Sequence, residues 1–557
     1  MRLPLLSMAC FAASWSPALS APSLRPRQVN SNVASSIFLR RAYHSSGVLN
    51  GTVYIDGGEF SYNSSTGTEY DYSSNMIAIS LDEDWTNSTV NLQSISKPSG
   101  VPDLSVGGMW VDHKNNVLYT GFAGRSPLLG NEAFQANGLW QYSPASGTWS
   151  NLNSTATSFT DTYIRPDGTL VASGNGKGYS LGGFTGSFNA SGLLSYNFDS
   201  HQLTNTTVSL ASTDNGVVQF GKMVFVPNFG PSGVLVSIGG VQQGSSNGLL
   251  SMDSVQIFDP ASGDWYDQPV SGATPTPRQE FCLAGVASDN NTYEIFLYAG
   301  WGGHLGGEAV PFDSAFVLTL PGFHWVQASY PASHPRHALT CESIGGGQML
   351  TIGGLDTLIS DDSDLYEGPF QSADPFTYGL GVFDISTLTW KSSYSSSQTV
   401  YTPSSEIMKF YQTNGRLSAL NNTNLKDLFS TQNFTGVPTS TASSPSSTGS
   451  TSSTSAAAAS STHSTHTGAI AGGVVGGVAG VALIAAGAFY FLRRGKRQTN
   501  MSEGAVPEGH KYSGGYNEVS REPHDPEMPP ELSDSGAVEP SVELPAYGKP
   551  VVRHELG

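Results

Sequence analysis

Few side chains in this 557-residue chain have chemistry to offer, and their spacing limits what it can be. Of the three cysteines, Cys10 falls in an apolar leader, which leaves Cys282 and Cys341, each a few residues after a Pro-Arg pair. In an oxidising compartment these two can bond or stay as buried thiols, since a bridge needs Cα atoms within about 7 Å. The histidines between residues 33 and 434 (His44, His113, His201, His304, His324, His334 and His337) show none of the paired spacing of metal ligands. Asp361, Asp362, Asp364 and Glu367 offer carboxylate oxygens to Ca²⁺, but they lack the glycine and ligand spacing of a calcium loop, and a solvated acidic loop accounts for them too. No catalytic residue, metal or cofactor is assigned. Nine Asn-X-Ser/Thr sequons upstream of residue 468, at Asn50, Asn63, Asn87, Asn153, Asn189, Asn205, Asn290, Asn421 and Asn433, are N-glycan acceptors in a secreted chain.

Composition says what must position these groups. Only 12% of residues are charged, 64 are glycine and 10% are aromatic, a balance that favours short strands and turns over helices. The net charge of −19 excludes nucleic acid as a partner, because phosphate binding needs clustered Lys and Arg. Two cysteines make no disulfide scaffold, so the domain must rest on its own apolar core.

Residues 1–20 have one Arg, an apolar stretch and Ala18-Leu19-Ser20 before Ala21, the layout of a cleaved signal peptide. Residues 435–467 are almost wholly Ser, Thr and Ala and read as an O-glycosylated stalk. Residues 468–492 carry no charge and are long enough to cross roughly 30 Å of hydrocarbon as one helix. Arg493, Arg494, Lys496 and Arg497 follow, so the expected topology is type I at the plasma membrane, with a disordered cytoplasmic tail over 493–557. Gly472, Gly476 and Gly480 form small-xxx-small steps that suit a helix dimer.

The remaining 33–434 repeat. A β-rich stretch ending in Gly appears as VYIDGG (Val53–Gly58), VLYTGFAG (Val117–Gly124) and TLVASGNG (Thr169–Gly176). It returns as VLVSIGG (Val234–Gly240), FLYAGWGG (Phe296–Gly303) and MLTIGG (Met349–Gly354). A second landmark places an apolar residue seven positions before a Trp: YSPASGTW (Tyr142–Trp149), FDPASGDW (Phe258–Trp265), LTLPGFHW (Leu318–Trp325) and FDISTLTW (Phe383–Trp390). In YNFDSHQL, Leu203 replaces Trp, and the first copy, ending at Trp85, slips by about one residue. One four-stranded unit cannot bury two apolar faces alone, whereas units packed radially can.

With Arg41, Arg278 and Arg336 ahead of these segments, the pattern resembles the Kelch repeat, and the whole chain resembles fungal single-pass membrane proteins that carry Kelch propellers. The resemblance implies an all-β, six-bladed propeller with blades over about 33–100, 101–155, 156–212, 213–272, 273–330 and 331–400, then an extension over 401–434; closure with seven blades stays open. In that extension SSEIMKFYQ suggests a short helix.

In a meander, every loop between second and third strands emerges on one face. These loops carry Tyr62, Tyr70, Tyr72, Phe134, Tyr179, Trp301, His304, Tyr366, Phe370 and Phe376, which suit a sugar ring or a protein epitope. The leading expectation is a non-catalytic surface protein for recognition or adhesion that binds cell-wall polysaccharide or a protein. The galactose-oxidase branch of the resemblance implies a copper-radical oxidase as the alternative, which would need a Tyr–Cys crosslink with Tyr and His ligands on one face. Both thiols are expected in first strands, away from that face. A sensor signalling through the tail is the third reading.

Overall fold

In the computed structural model the described residues are 33–124, 139–152, 168–185, 188–189, 191–208, 216–242, 248–303, 312–359 and 367–431. The chain divides into two units, Met1–Ser447 and Thr448–Gly557, and every described residue belongs to the first. The expected leader, stalk, membrane span and tail therefore lie outside the described residues, among which no helix is long and apolar enough to cross a membrane.

Among the described residues the fold is all-β apart from two α-helices near the end and two single 3-10 turns, Gly368–Phe370 and Thr377–Gly379. Among these residues six main sheets follow in chain order, each a four-stranded antiparallel meander, with first strands at Ser45–Leu49, Ser105–Asp112, Leu170–Gly174, Lys222–Val226, Cys282–Ala287 and Thr340–Ser343; the one that begins at Cys282 gains Ser271–Gly272 as a fifth strand, parallel to its fourth. We number them sheets 1 to 6. Second and third strands are apolar on both sides: in sheet 5, Tyr293–Tyr298 and Ala315–Leu320 are buried at every position. Strands buried on both faces need cover on both faces. Each sheet accordingly shares one apolar cluster with the sheet before it and one with the sheet after it. The cluster of Val53, Ile55, Ile77 and Ile79 with Leu350, Ile352 and Val382 joins sheet 1 to sheet 6.

Cross-strand geometry explains the seven-residue spacing. Tyr142 faces Trp149, Phe258 faces Trp265, Leu318 faces Trp325 and Phe383 faces Trp390, each pair directly opposed across a third-to-fourth-strand turn. Tyr196 faces Leu203 in the same register, so the degraded third repeat keeps the pairing. Such opposed pairs are the stabilising unit of a sheet.

Three expectations are corrected. TLVASGNG is the first strand of sheet 3, not its second: Asn175 and Gly176, at φ 50° and 71°, make the hairpin turn. The second strand is Lys177–Leu181, and the glycine pair is Gly182-Gly183, at φ 64° and 92°. Trp85 is not on a fourth strand. It lies in Trp85–Thr86, which pairs with Ser393–Tyr394 of the last repeat, while the fourth strand of sheet 1 is Gln93–Ser96. The segment expected to be a loop carrying Tyr62, Tyr70 and Tyr72 is a hairpin, Glu59–Ser64 with Gly67–Tyr72, to which Phe38–Ala42 adds a third strand.

The helices are α1 (Ser405–Thr413), where a helix was expected, and α2 (Thr423–Ser430), whose Asn422 side chain caps the amides of Asn424 and Leu425. They pack on turns between first and second or third and fourth strands. Phe429 meets Phe229 at 4.8 Å and Phe323 at 5.1 Å, and Phe410 stacks on His324 at 4.2 Å. Arg416 donates to the carbonyls of Asn290 and Asn291. The extension thus covers the short-turn face of sheets 4 and 5, opposite the long loops.

Candidate binding face

At the long-loop end a left-handed residue marks the start of each first strand: Tyr43, Gly168, Phe220, Glu280 and Ala338 lie two positions before theirs, at φ 58°, 65°, 56°, 52° and 56°, and Val106, at φ 52°, is the second residue of Ser105–Asp112. Their backbones bond in series. Phe220 N–H donates to Gly168 (2.7 Å), Glu280 to Phe220 (2.8 Å), Ala338 to Glu280 (2.9 Å), Tyr43 to Ala338 (3.2 Å) and Val106 to Tyr43 (2.8 Å). This collar takes one residue from each sheet. Five of the six are not glycine, and backbone strain of this kind gathers at functional sites.

Charged groups from different sheets converge beside the collar. His337 Nδ1 lies 2.5 Å from Glu280 Oε2, and the half-buried Trp301 ring lies parallel to His337 at 4.4 Å. Glu342 accepts a 2.6 Å bond from Ser46. Burial raises the Glu342 carboxyl to about 7, with the Ser46 bond and Lys222 acting the other way. Burial lowers Lys222 against the pull of Glu280 and Glu342. It also holds His44 well below its ordinary value, helped by Arg41 and Lys222, so His44 is neutral; its Nε2 meets Thr340 Oγ1 at 2.8 Å. Proline-free local spacing gives no hint of this cluster, because its members come from four sheets. The one signal was charge in otherwise apolar first strands, as at Lys222 of KMVFV.

Of the residues expected to bind, Trp301 stands at the collar, and Tyr62, Tyr70 and Tyr72 are half-buried on the hairpin of sheet 1. Successive residues of a strand alternate faces, so Tyr70 and Tyr72 share one face while Tyr62, opposite Glu69, is on the other. Tyr70 meets Phe370 edge-on at 6.3 Å, but Phe370 is fully buried with Ala42, Ala338 and Leu355 and serves the core. Phe376 lies beneath the Arg336 guanidinium at 5.0 Å and against Trp390 at 4.9 Å, a packing position. Tyr179 is corrected outright: it is on the second strand of sheet 3, 2% exposed, in the core shared with sheet 4. Phe134, His304, Tyr366 and the acidic run at 361–364 lie outside the described residues, as do Asn153 and Asn433.

The arginines are structural. Each precedes its first strand and reaches a carbonyl at the end of a second strand: Arg278 to Ala299 (2.9 Å) and Arg336 to Gly353 (3.1 Å), while Arg40, beside Arg41, reaches Gly354 (3.0 Å). Asp374 pairs with Arg336 at 3.1 Å, both buried. Cys282 and Cys341 are joined by a disulfide, Cα atoms 5.3 Å apart, across the first strands of sheets 5 and 6. They follow collar residues Glu280 and Ala338 closely, so they sit at the long-loop end rather than away from it. Among the described residues no three His, Cys, Asp or Glu side chains converge as metal ligands would.

This chain is similar to a Kelch-repeat protein. It is 26% identical over 397 residues to a Kelch repeat-containing protein of Arthroderma benhamiae (strain ATCC MYA-4681 / CBS 112371), covering 62% of this chain and 56% of that one. The chain thus spans little more than half the length of that relative, and no protein-family profile matches it. Together with the small antiparallel sheets, the similarity supports a Kelch-repeat family and a propeller-like all-β fold.

Proposed function

We propose that the six sheets are the blades of a closed Kelch-type propeller on a single-pass, type I plasma-membrane protein, and that it acts without catalysis in surface recognition or adhesion. Its long-loop face binds a cell-wall polysaccharide or a protein. The observation that carries this reading is the asymmetry of the two faces. The C-terminal extension covers the short-turn side of sheets 4 and 5 as far as Thr431, the last described residue, whose carbonyl accepts from Gly230. The opposite side keeps half-buried aromatic residues, Trp301, Tyr62, Tyr70 and Tyr72, near a collar beside which His337 meets Glu280. Aromatic anchors ringed by polar groups are what recognition surfaces use.

The test is a glycan and protein array screen with residues 21–434, run beside Trp301→Ala. A ligand lost with that substitution supports the reading. Stoichiometric copper together with peroxide release on sugars or alcohols overturns it in favour of an oxidase.

A further inference from the structure

Asn63 stands at the end of the first strand of the sheet 1 hairpin, opposite Thr68 and one position before the Ser64–Gly67 pair that closes it. It is exposed, and it begins the sequon Asn63-Ser64-Ser65. Beside it opens a cleft of about 230 Å³ between residues 35–39 and 373–378. Asn63 is itself part of the wall, together with Ser35, Phe38, Pro375, Phe376 and Tyr378. Strand alternation puts Asn63 on the same face as Ser61, whose hydroxyl donates to the Phe370 carbonyl at 2.6 Å, so this face is turned toward the segment that forms the far wall. Phe38 and Tyr378 lie 5.7 Å apart in the cleft lining. The Asp374 carboxylate beside them is taken up by Arg336 and by the Phe376 amide, which leaves hydroxyls and aromatic carbon as the free lining chemistry. A hexosamine ring matches that lining: its C–H face lies on aromatic carbon while its hydroxyl and acetamido groups meet serine and threonine hydroxyls.

We propose that Asn63 is N-glycosylated and that the first sugar of its glycan is seated in this cleft, so that the glycan braces the N-terminal segment against sheet 6. The inference rests on the secretory reading. In the transfer, a bond forms between Asn63 Nδ2 and the anomeric carbon of a lipid-pyrophosphate-linked oligosaccharide. That carbon's bond to the pyrophosphate oxygen breaks, the lipid pyrophosphate leaves with the electron pair, and the amide nitrogen gives up one proton.

The full chain, made in a eukaryotic secretory host, tests this by peptide mass spectrometry of each sequon and by the rate of peptide-N-glycosidase release. Asn50 and Asn290, in exposed turns between first and second strands, are the internal controls. The expected result is an occupied Asn63 whose glycan is released at least about tenfold more slowly than theirs from native protein and equally fast after denaturation. Tyr378 is left-handed at φ 57°, a conformation Asn tolerates, so Tyr378→Asn removes the ring without new backbone strain and should restore fast native release. An empty Asn63 beside occupied Asn50 and Asn290, or native release as fast as theirs, overturns the proposal. An empty set of sequons overturns the secretory reading and this inference with it.

Discussion

Trp85 stacks on Tyr394 with ring centroids 5.2 Å apart, and the Tyr394 hydroxyl donates to the Leu81 carbonyl at 2.9 Å. First and last repeats are thereby joined without any exchange of a sheet strand between them, since all four strands of sheets 1 and 6 come from their own repeats. Both rings are under a tenth exposed. Tyr394→Ala should therefore cost about 3–5 kcal/mol, as for other large aromatic truncations. Tyr394→Phe keeps the stack and loses one hydrogen bond, a cost of about 1 kcal/mol. Urea unfolding of the three proteins checks both figures, and equal losses for the two variants would mean that the hydroxyl rather than the stack holds the junction.

The Glu294 carboxyl gives a pH signature. It is fully buried in sheet 5 and accepts a 2.9 Å bond from Thr319, whose hydroxyl meets Tyr411 of α1 at 3.0 Å. Burial raises it to about 7, against the opposing hydrogen bonds of Thr292 and Thr319 and the charge of Arg416. The folded state thus keeps a proton that the unfolded chain releases near 4.5, so it binds more protons between these values and stability falls as pH rises through that window. At about 1.4 kcal/mol per unit the effect is on the order of 3 kcal/mol. Glu294→Gln should remove it. The wild-type minus variant difference in unfolding free energy, followed from pH 4.5 to 7.5, should decline; a flat difference would show that Glu294 ionises normally.

How much of this was legible in the residues follows from how local each feature is. The seven-residue step to Trp was legible because it is a cross-strand pair closed by a short turn, so one segment holds the whole signal. The third repeat was misassigned because Asn175-Gly176 at a hairpin turn and Gly182-Gly183 at a strand end both read as a strand followed by glycine, and that slip moved Tyr179 from the core to a loop. The collar left no mark: Tyr43, Val106, Phe220, Glu280 and Ala338 share a backbone conformation and a series of backbone hydrogen bonds but no side-chain chemistry. The Glu280–His337–Trp301 group joins residues from two repeats, and only the assembled sheets bring them together.

Strain in the collar predicts opposite effects at two of its positions. Val106 is β-branched at φ 52°, where Cβ crowds the following carbonyl, and Val106→Gly should raise stability by about 1 kcal/mol after the entropy cost of glycine. A Cβ on Gly168 would come within 2.7 Å of the Phe220 ring, at φ 65°. Gly168→Ala should therefore lose about 2 kcal/mol. Thermal unfolding of the two variants provides the comparison, and shifts of the same sign would remove strain as the distinction between these sites.

Trp301, just past the second strand of sheet 5, and Tyr179, in the middle of that of sheet 3, should separate binding from folding. Trp301 is half-buried; it exchanges backbone bonds of 3.0 Å with Gln279 that survive truncation, and its ring contact is the stack on His337. Trp301→Ala should cost about 1–2 kcal/mol in stability, the worth of a partly exposed stacked ring, while ligand affinity falls at least tenfold if the collar face is the binding surface. Tyr179 is enclosed by Leu181, Leu193, Val218 and Leu235, and its carbonyl accepts from the Trp110 indole at 2.9 Å. Tyr179→Ala should cost about 3–5 kcal/mol, and the protein that remains folded should bind with wild-type affinity. Binding isotherms corrected for the folded fraction discriminate the two. A Tyr179 variant that folds but cannot bind would move the binding surface away from Trp301 and toward the junction of sheets 3 and 4.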